Sequence, residues 1–330
     1  MNIRVWAWYV CSGVVSAFCA SVASAQAPLQ LNYPVKTVRI VVGFAPGGGT
    51  DVIARFLAQR LTESLGQSFI VENRPGAGGN IAAENVAKAA PDGYTLFMAI
   101  ASLTINVSLY SKVPYDPVKD FAAISTVATT PNCFAVHPSV PVKTLRDLIT
   151  LAKARPGELS YTSPGSGTPV HLSMELFRSM AGIKLLHIPY NGSGPATTAV
   201  LGGQVPLLAT ALPIGLPQAR AGKLRMLGVT SAERSQLAPD FPTVAEAAGL
   251  PSYEVNVWYG LMAPAGTPVA IVNKLNAEIE RLLQVRDVRE RMLTLGFDPQ
   301  RHTPAAFAEL VKADVVKWSK IVRDSGASVD

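Results

Sequence analysis

Cysteine is scarce in this chain: Cys11, Cys19 and Cys133 are the three in 330 residues. The first two sit in an apolar N-terminal run that reads as a removable leader, so one thiol would remain and no internal disulfide would form. A chain of this kind has to be held by its core. Histidine is sparse and scattered (His137, His171, His187, His302), with no H-E-x-x-H and no cysteine pair, so no metal-site pattern is present. Clustered positive charge is missing as well. The formal charge is +6, yet no Lys/Arg cluster or aromatic-interleaved basic stripe marks a nucleic-acid surface. The mild cationic excess suits small anions, or is simply a solvated basic face.

The motifs of common chemistries are also missing. Gly43 to Gly48 has the glycine spacing of a phosphate loop, but Gly49-Thr50 follows where a lysine must stand. Gly76-Ala-Gly-Gly-Asn-Ile81 lacks the third glycine of a dinucleotide fingerprint. No G-x-S-x-G elbow exists: Ser166 is flanked two residues away by Pro164 and Thr168, and Ser193 by Asn191 and Pro195. A hydrolase using either serine has no identifiable base or acid. His137 and His187 lie on apolar strands and read as structural histidines, and Cys133 as a small buried apolar group. The expectation is a protein that is not an enzyme and carries no cofactor.

Long hydrophobic runs are confined to the N-terminus. Arg4 precedes an apolar run from Val5 to about Ala20 that ends in Ala23-Ser24-Ala25, an A-x-A cleavage pattern. Residues 1–25 therefore read as a secretory signal peptide and predict a periplasmic mature chain from Gln26. Elsewhere Pro, Gly or charge interrupts every apolar run before it reaches spanning length.

What the chain does contain is alternation. Val38–Val42 reads as a strand, 43–49 as a glycine-rich turn, and the next stretch as a helix with Ile53, Phe56, Leu57, Leu61 and Leu65 on one face. Strand, tight turn and helix start aim unpaired N–H groups at one point, which makes either an anion site or an ordinary turn capped by Thr50 or Asp51. Strands at 68–72 and 94–100 with a helix at 81–90 complete a doubly wound opening, whose ligand loops are predicted at 44–51 and 101–106. After a crossing segment at 122–130 the plan repeats, with strands at 132–137, 159–162, 184–188, 204–209 and 224–229. A second crossing at 253–259, with Trp258 and Tyr259 read as hinge packing, precedes helices at about 269–284, 286–295 and 304–325. The expected fold class is α/β: two doubly wound lobes joined by two crossing segments, with lobe 1 at 26–127 and 250–330 and lobe 2 at 128–249. Four loops rich in Gly, Ser, Thr and Asn follow strands, at 47–51, 102–106, 163–168 and 191–194. Their N–H and hydroxyl donors can hold a carboxylate without Arg or Lys.

A series of ordered motifs sharpens this. They include Val42-Gly-Phe-Ala-Pro-Gly-Gly-Gly-Thr-Asp51, Val71-Glu-Asn-Arg-Pro-Gly-Ala-Gly-Gly79, Pro91-Asp-Gly-Tyr-Thr-Leu96, Ser163-Pro-Gly-Ser-Gly-Thr168 with His171-Leu172, His187-Ile-Pro-Tyr190, Pro242-Thr-Val-Ala-Glu246 and Ala263-Pro-Ala-Gly-Thr-Pro268. From Tyr33-Pro34 to Val322 the chain resembles the Bug family of extracytoplasmic solute receptors, the binding proteins of tripartite tricarboxylate transporters. The resemblance implies a type II periplasmic-binding-protein fold that closes like a flytrap on a small organic acid or amino acid, for delivery to membrane transport subunits or, as a variant, for sensing through a sensor kinase. It places ligand contacts at Phe44, Gly48, Gly49, Thr50 and Asp51, and at Ser102 and Asn106. In the second lobe it places them at Ser163, Gly165, Ser166, Gly167, Thr168 and His171, and at Tyr190, Asn191, Gly192 and Ser193. Asp51 is open between helix cap and ligand contact, and His171 between donor and packed edge. The chain departs from the family pattern at Gln204 to Thr210, where Pro206 replaces a common Asp, and Thr210 at a strand end is expected to face the cleft.

Overall fold

Apolar and β-branched residues set the first strand, β1 (Val38–Val42), which is buried at all but Arg39. In this computed structural model, which describes residues 32–325 and 327, β2 (Phe69–Asn73) and β3 (Thr95–Ile100) pair with β1 in parallel. The signal peptide read over 1–25 lies outside the described residues. Helix α1 (Gly49–Leu65) buries Ile53, Leu57 and Leu61 and ends at Gly66, whose φ of 71° supplies the left-handed cap. After a 3-10 turn at Ala77–Gly79 come α2 (Asn80–Ala87) and, past β3, α3 (Ser102–Leu109). The stretch 101–106, expected as a loop, is therefore largely helix. Its Ser and Asn content suggested a loop, but buried Leu103, Ile105 and Leu109 hold it helical.

The next element is β4 (Phe121–Val136), 16 residues long. It merges the expected crossing segment and the separate strand after it. Beyond it run α4 (Leu145–Ala154), closed by a Thr144/Asp147 capping box, then β5 (Ser160–Ser163), α5 (Pro169–Ala181), β6 (Leu186–Pro189), α6 (Ser193–Leu201), β7 (Leu207–Ala211), α7 (Leu212–Arg220), β8 (Arg225–Val229) and α8 (Val244–Ala248). The chain returns through β9 (Asn256–Pro264) to α9 (Val269–Gln284), α10 (Arg286–Thr294), β10 (Asp298–Pro299) and α11 (Pro304–Ser325). The result is a mixed α/β architecture.

The strand order is β2-β1-β3-β9-β4-β7-β5-β6, with β8 and β10 also on β4. Residues 121–131 of β4 pair antiparallel with β9, and residues 132–136 pair antiparallel with β7. The first predicted crossing is thus a strand shared by both half-sheets. Pro131, which has no N–H to give a ladder, stands where the partners change. The strand expected at 204–209 runs instead over Leu207–Ala211.

A large core cluster runs from Phe97 and Phe121 through Phe134 and Phe177 to Phe307 and Trp318, with separate clusters where α7 and α6 pack on the second half-sheet. Helix α9 lies on α1 and β4, whereas α11 lies on α3 and β4 and also reaches α5. The buried Asp314 of α11 accepts from Trp258 Nε1 at 2.6 Å and Trp318 Nε1 at 3.2 Å. Trp318 is 1% exposed. Trp318→Ala should therefore cost about 3–5 kcal/mol of stability, read as a lower denaturation midpoint. A loss under about 1 kcal/mol would show that α11 does not anchor the core.

Candidate functional site

Parallel strands point their C-terminal ends into the same space, and in this chain the loops after β1, β5 and β6 meet there. They surround a small cavity of about 30 Å³. That is room for a water or two.

Each wall follows from local sequence. Helix α1 starts at Gly48 with no side-chain cap, so the first N–H groups at Gly49 and Thr50 have no helical partner. Helix α6 likewise starts uncapped, at Gly192, with Ser193 as its first residue. Helix α5 starts at Thr168 and presents Pro169 and Val170. Gly48, Gly49, Thr50, Thr168, Val170 and Ser193 all line the cavity, so three helix N-termini face it. Those of α1 and α6 bring uncapped N–H groups that favour negative charge, while α5 begins with Pro169, which has none, and its His171 N–H is capped by Thr168. The opposite wall is carried by strands: Ile100, Asn132, Ala211, Val257 and Tyr259. Phe44 and Pro164 also line it, and both border a second space of about 180 Å³ with Gly165, Ser166, Tyr190 and Asn191. No lining residue of the smaller cavity is charged.

The two sides already touch. Ala45 N donates to Asn191 O at 2.8 Å. A Cβ on Gly78 would lie 2.3 Å from Ser166 O, and one on Gly167 would lie 2.0 Å from Asn106 Oδ1. With φ of 62° and 76°, both glycines also hold conformations that side chains rarely adopt. The Asn106 Nδ2 is occupied by its neighbours, donating to Asn80 Oδ1 at 2.7 Å and Gly78 O at 3.2 Å, while its Oδ1 is buried without a partner. It braces the contact and does not line the cavity. Ser102 is buried at the start of α3, and Gly192 packs on Ala45, where an added Cβ would meet Ala45 N at 3.0 Å.

Asp51 is neither the N-cap nor a lining residue. Its carboxylate accepts from Gly47 N and Arg55 Nε at 3.0 Å each and from Asn73 Nδ2 at 2.9 Å. Burial alone would raise its pKa, but the hydrogen bonds from Arg55, Gly47 and Asn73 outweigh it and hold the group below its usual range. Asp51 thus fixes the loop that α1 presents.

His171 plays the matching part beneath loop 163–168. Its Nδ1 accepts from Gly167 N at 3.3 Å, and its ring stacks on His187 at 4.1 Å between centroids. His187 in turn contacts Ser163 Oγ at 2.6 Å and stacks on Tyr161. Ser163 and His171 therefore support the loop from behind. The Thr168 hydroxyl is committed too, donating to Gly165 O and accepting from His171 N.

Thr210 is a correction. In β4 and β7, Asn132 pairs with Ala211 and Cys133 with Thr210. Alternation puts Asn132 and Ala211 on the cavity face and Cys133 and Thr210 on the other, against Gly215 of α7. Adjacent residues of a strand point to opposite faces, so Ala211, the neighbour of Thr210, takes the cavity-facing place. The lining residues outside the sequence-based candidates are Ile100, Asn132, Ala211, Val257 and Tyr259, on strands whose only signal was this alternation, and Pro164, Pro169 and Val170 around the start of α5. Among the described residues no cluster could hold a metal ion, and no helix is long and apolar enough to cross a membrane.

Burial, with the neighbouring Arg178 charge, pushes His171 down to about 4. Burial followed by His171 pushes His187 down to about 3. Both lie below the unfolded value of about 6.5, so the unfolded chain takes up these protons first, and stability falls as pH drops from about 6.5 towards 4. The expected slope is about 1.4 kcal/mol per pH unit for each histidine. Denaturation from pH 8 to 4 checks this, and an unchanged slope in a His171→Gln/His187→Gln variant would assign it elsewhere.

The model of the tripartite tricarboxylate transporter family receptor matches residues 53–327. Protein BugT of Bordetella pertussis is 38% identical over 319 residues, covering 96% of this chain and 97% of that protein. Among solved structures, R. palustris Rpa4515 with adipate superposes with a TM-score of 0.87 at 38% identity, covering 90% and 99% of the two chains. MatC from Rhodopseudomonas palustris with bound malate gives 0.83 at 36%, covering 88% and 100%. The chain belongs to the Bug family of extracytoplasmic solute receptors, the receptors of the tripartite tricarboxylate transporter family.

Proposed function

We propose that this receptor captures a small carboxylated metabolite between two lobes, 26–127 with 250–330 and 128–249, and delivers it in the periplasm to the membrane subunits of a tripartite tricarboxylate-type transporter. The observation that carries the reading is the convergence of the α1, α5 and α6 N-termini on one cavity free of charged side chains. Neutral donors of that kind hold a carboxylate firmly yet release it, because each contributes only about 1.5–3 kcal/mol to a charged acceptor. The adipate and malate carried by two relatives are acids of this class.

No organic acid enters a space of about 30 Å³ while Ala45 is bonded to Asn191. Loading therefore requires the lobes to part, turning about β4 near Pro131 and the return at 253–256. The ligand then replaces direct contacts between the lobes with bridged ones, and the closed surface is what the transporter reads.

Thermal melts against a panel of mono-, di- and tricarboxylates, amino acids and aromatic acids test this. A ligand at a hundred times its Kd should add about 2.7 kcal/mol, and Thr50→Val should weaken it without unfolding the chain. If no acid raises Tm while an ester is hydrolysed in a Ser166-dependent way, the proposal falls. Gly78→Ala should hold the lobes apart, because its Cβ would overlap Ser166 O. Small-angle scattering should then show a larger radius of gyration than wild type; an identical value would remove Gly78 from the closing surface.

A further inference from the structure

The strand-borne wall of the cavity holds one polar side chain with nothing to bond. Asn132 is 0% exposed, lines the cavity, and has no partner for either Oδ1 or Nδ2. Its backbone is fixed, with N donating to Thr230 Oγ1 at 2.8 Å and O accepting from Thr230 N at 2.9 Å. The side chain is thus held towards the cavity. Its neighbours are apolar (Ile100, Ala211, Val257) or, in Tyr259, a hydroxyl that burial keeps neutral.

The cavity is therefore two-sided. One side offers helix N-termini, which suit an anion. The other offers an amide that both donates and accepts, in surroundings without a cation. We propose that the ligand of this chain is a monocarboxylate whose far end is a neutral group able to donate and accept, a carboxamide above all, and that Asn132 reads that end. The inference rests on the cavity being the ligand site.

The chemistry separates the candidates. A second carboxylate accepts from Nδ2, but it offers no donor to Oδ1 and sets two negative oxygens against it. An ammonium donates to Oδ1 and leaves Nδ2 unpaired. A primary amide does both at once, in a paired ring of two N–H···O=C bonds. Leaving a buried amide atom unpaired is costly, and sites built around such groups reject analogues that lack the partner.

Matched pairs test it on the whole protein by titration calorimetry: succinate against succinamate, glutarate against glutaramate, adipate against adipamate. The monoamide should bind roughly tenfold to a hundredfold more tightly than the diacid of the same length. Asn132→Leu, close in size, should remove that preference while leaving the carboxylate side intact. Wild-type pairs alone decide the case should that variant fail to fold. A diacid that binds as tightly as its monoamide overturns this inference and leaves the receptor reading standing. Equal loss of both partners in a folded Asn132→Leu overturns it too. If neither acids nor monoamides bind, the receptor reading falls with it.

Discussion

Strand β4 belongs to both half-sheets, and the rest of the structure depends on that sharing. One stretch of backbone gives hydrogen bonds to β9 and β10 over its first part and to β7 and β8 over its second. The two parallel sets, β2-β1-β3 and β7-β5-β6, are thereby fixed to a common spine with the loops after their strands facing one another. Pro131, with no N–H to contribute, marks the change of partner, and the first cavity residue on β4 follows it directly.

Close approach is the second requirement. The facing loops meet backbone against backbone, and glycine is what makes that distance reachable. At Gly78 and Gly167 a methyl group would sit inside the opposing residue, so these positions have a steric reason to be glycine beyond their positive φ. Groups that chemistry would nominate as ligand contacts are instead spent on support. Asp51 ties Gly47, Arg55 and Asn73 together, and His171 and His187 stack beneath loop 163–168. What remains for the cavity is a set of neutral donors, with the helix ends supplying the positive field.

The first strand, the glycine turn after it and the doubly wound plan were legible, because strand and helix periods and glycine-rich turns are local signals, whereas the cap of α1 fell to Gly48 and not to Thr50 or Asp51. Phe44, Gly48, Gly49, Thr50, Thr168 and Ser193, which the family resemblance nominates, come together around one cavity. Asn132 and Ala211 were not legible. Their selection depends on which face of a strand points inward, and Thr210 and Ala211, adjacent on β7, point to opposite faces. The helical nature of 102–106 was hidden for a related reason, since its polar residues serve buried contacts.

The sequence by itself determined most of the strands and helices, the core-forming stripes and the absence of nucleotide, metal and nucleophile motifs, since each is written in neighbouring residues. Only the tertiary structure decided which donors face one another, because that depends on pairing across long stretches of chain. It brought residue 45 to residue 191 and residue 132 to the ends of three helices. It also turned Asp51 and His171 from candidate ligand contacts into the supports that hold the facing loops in place.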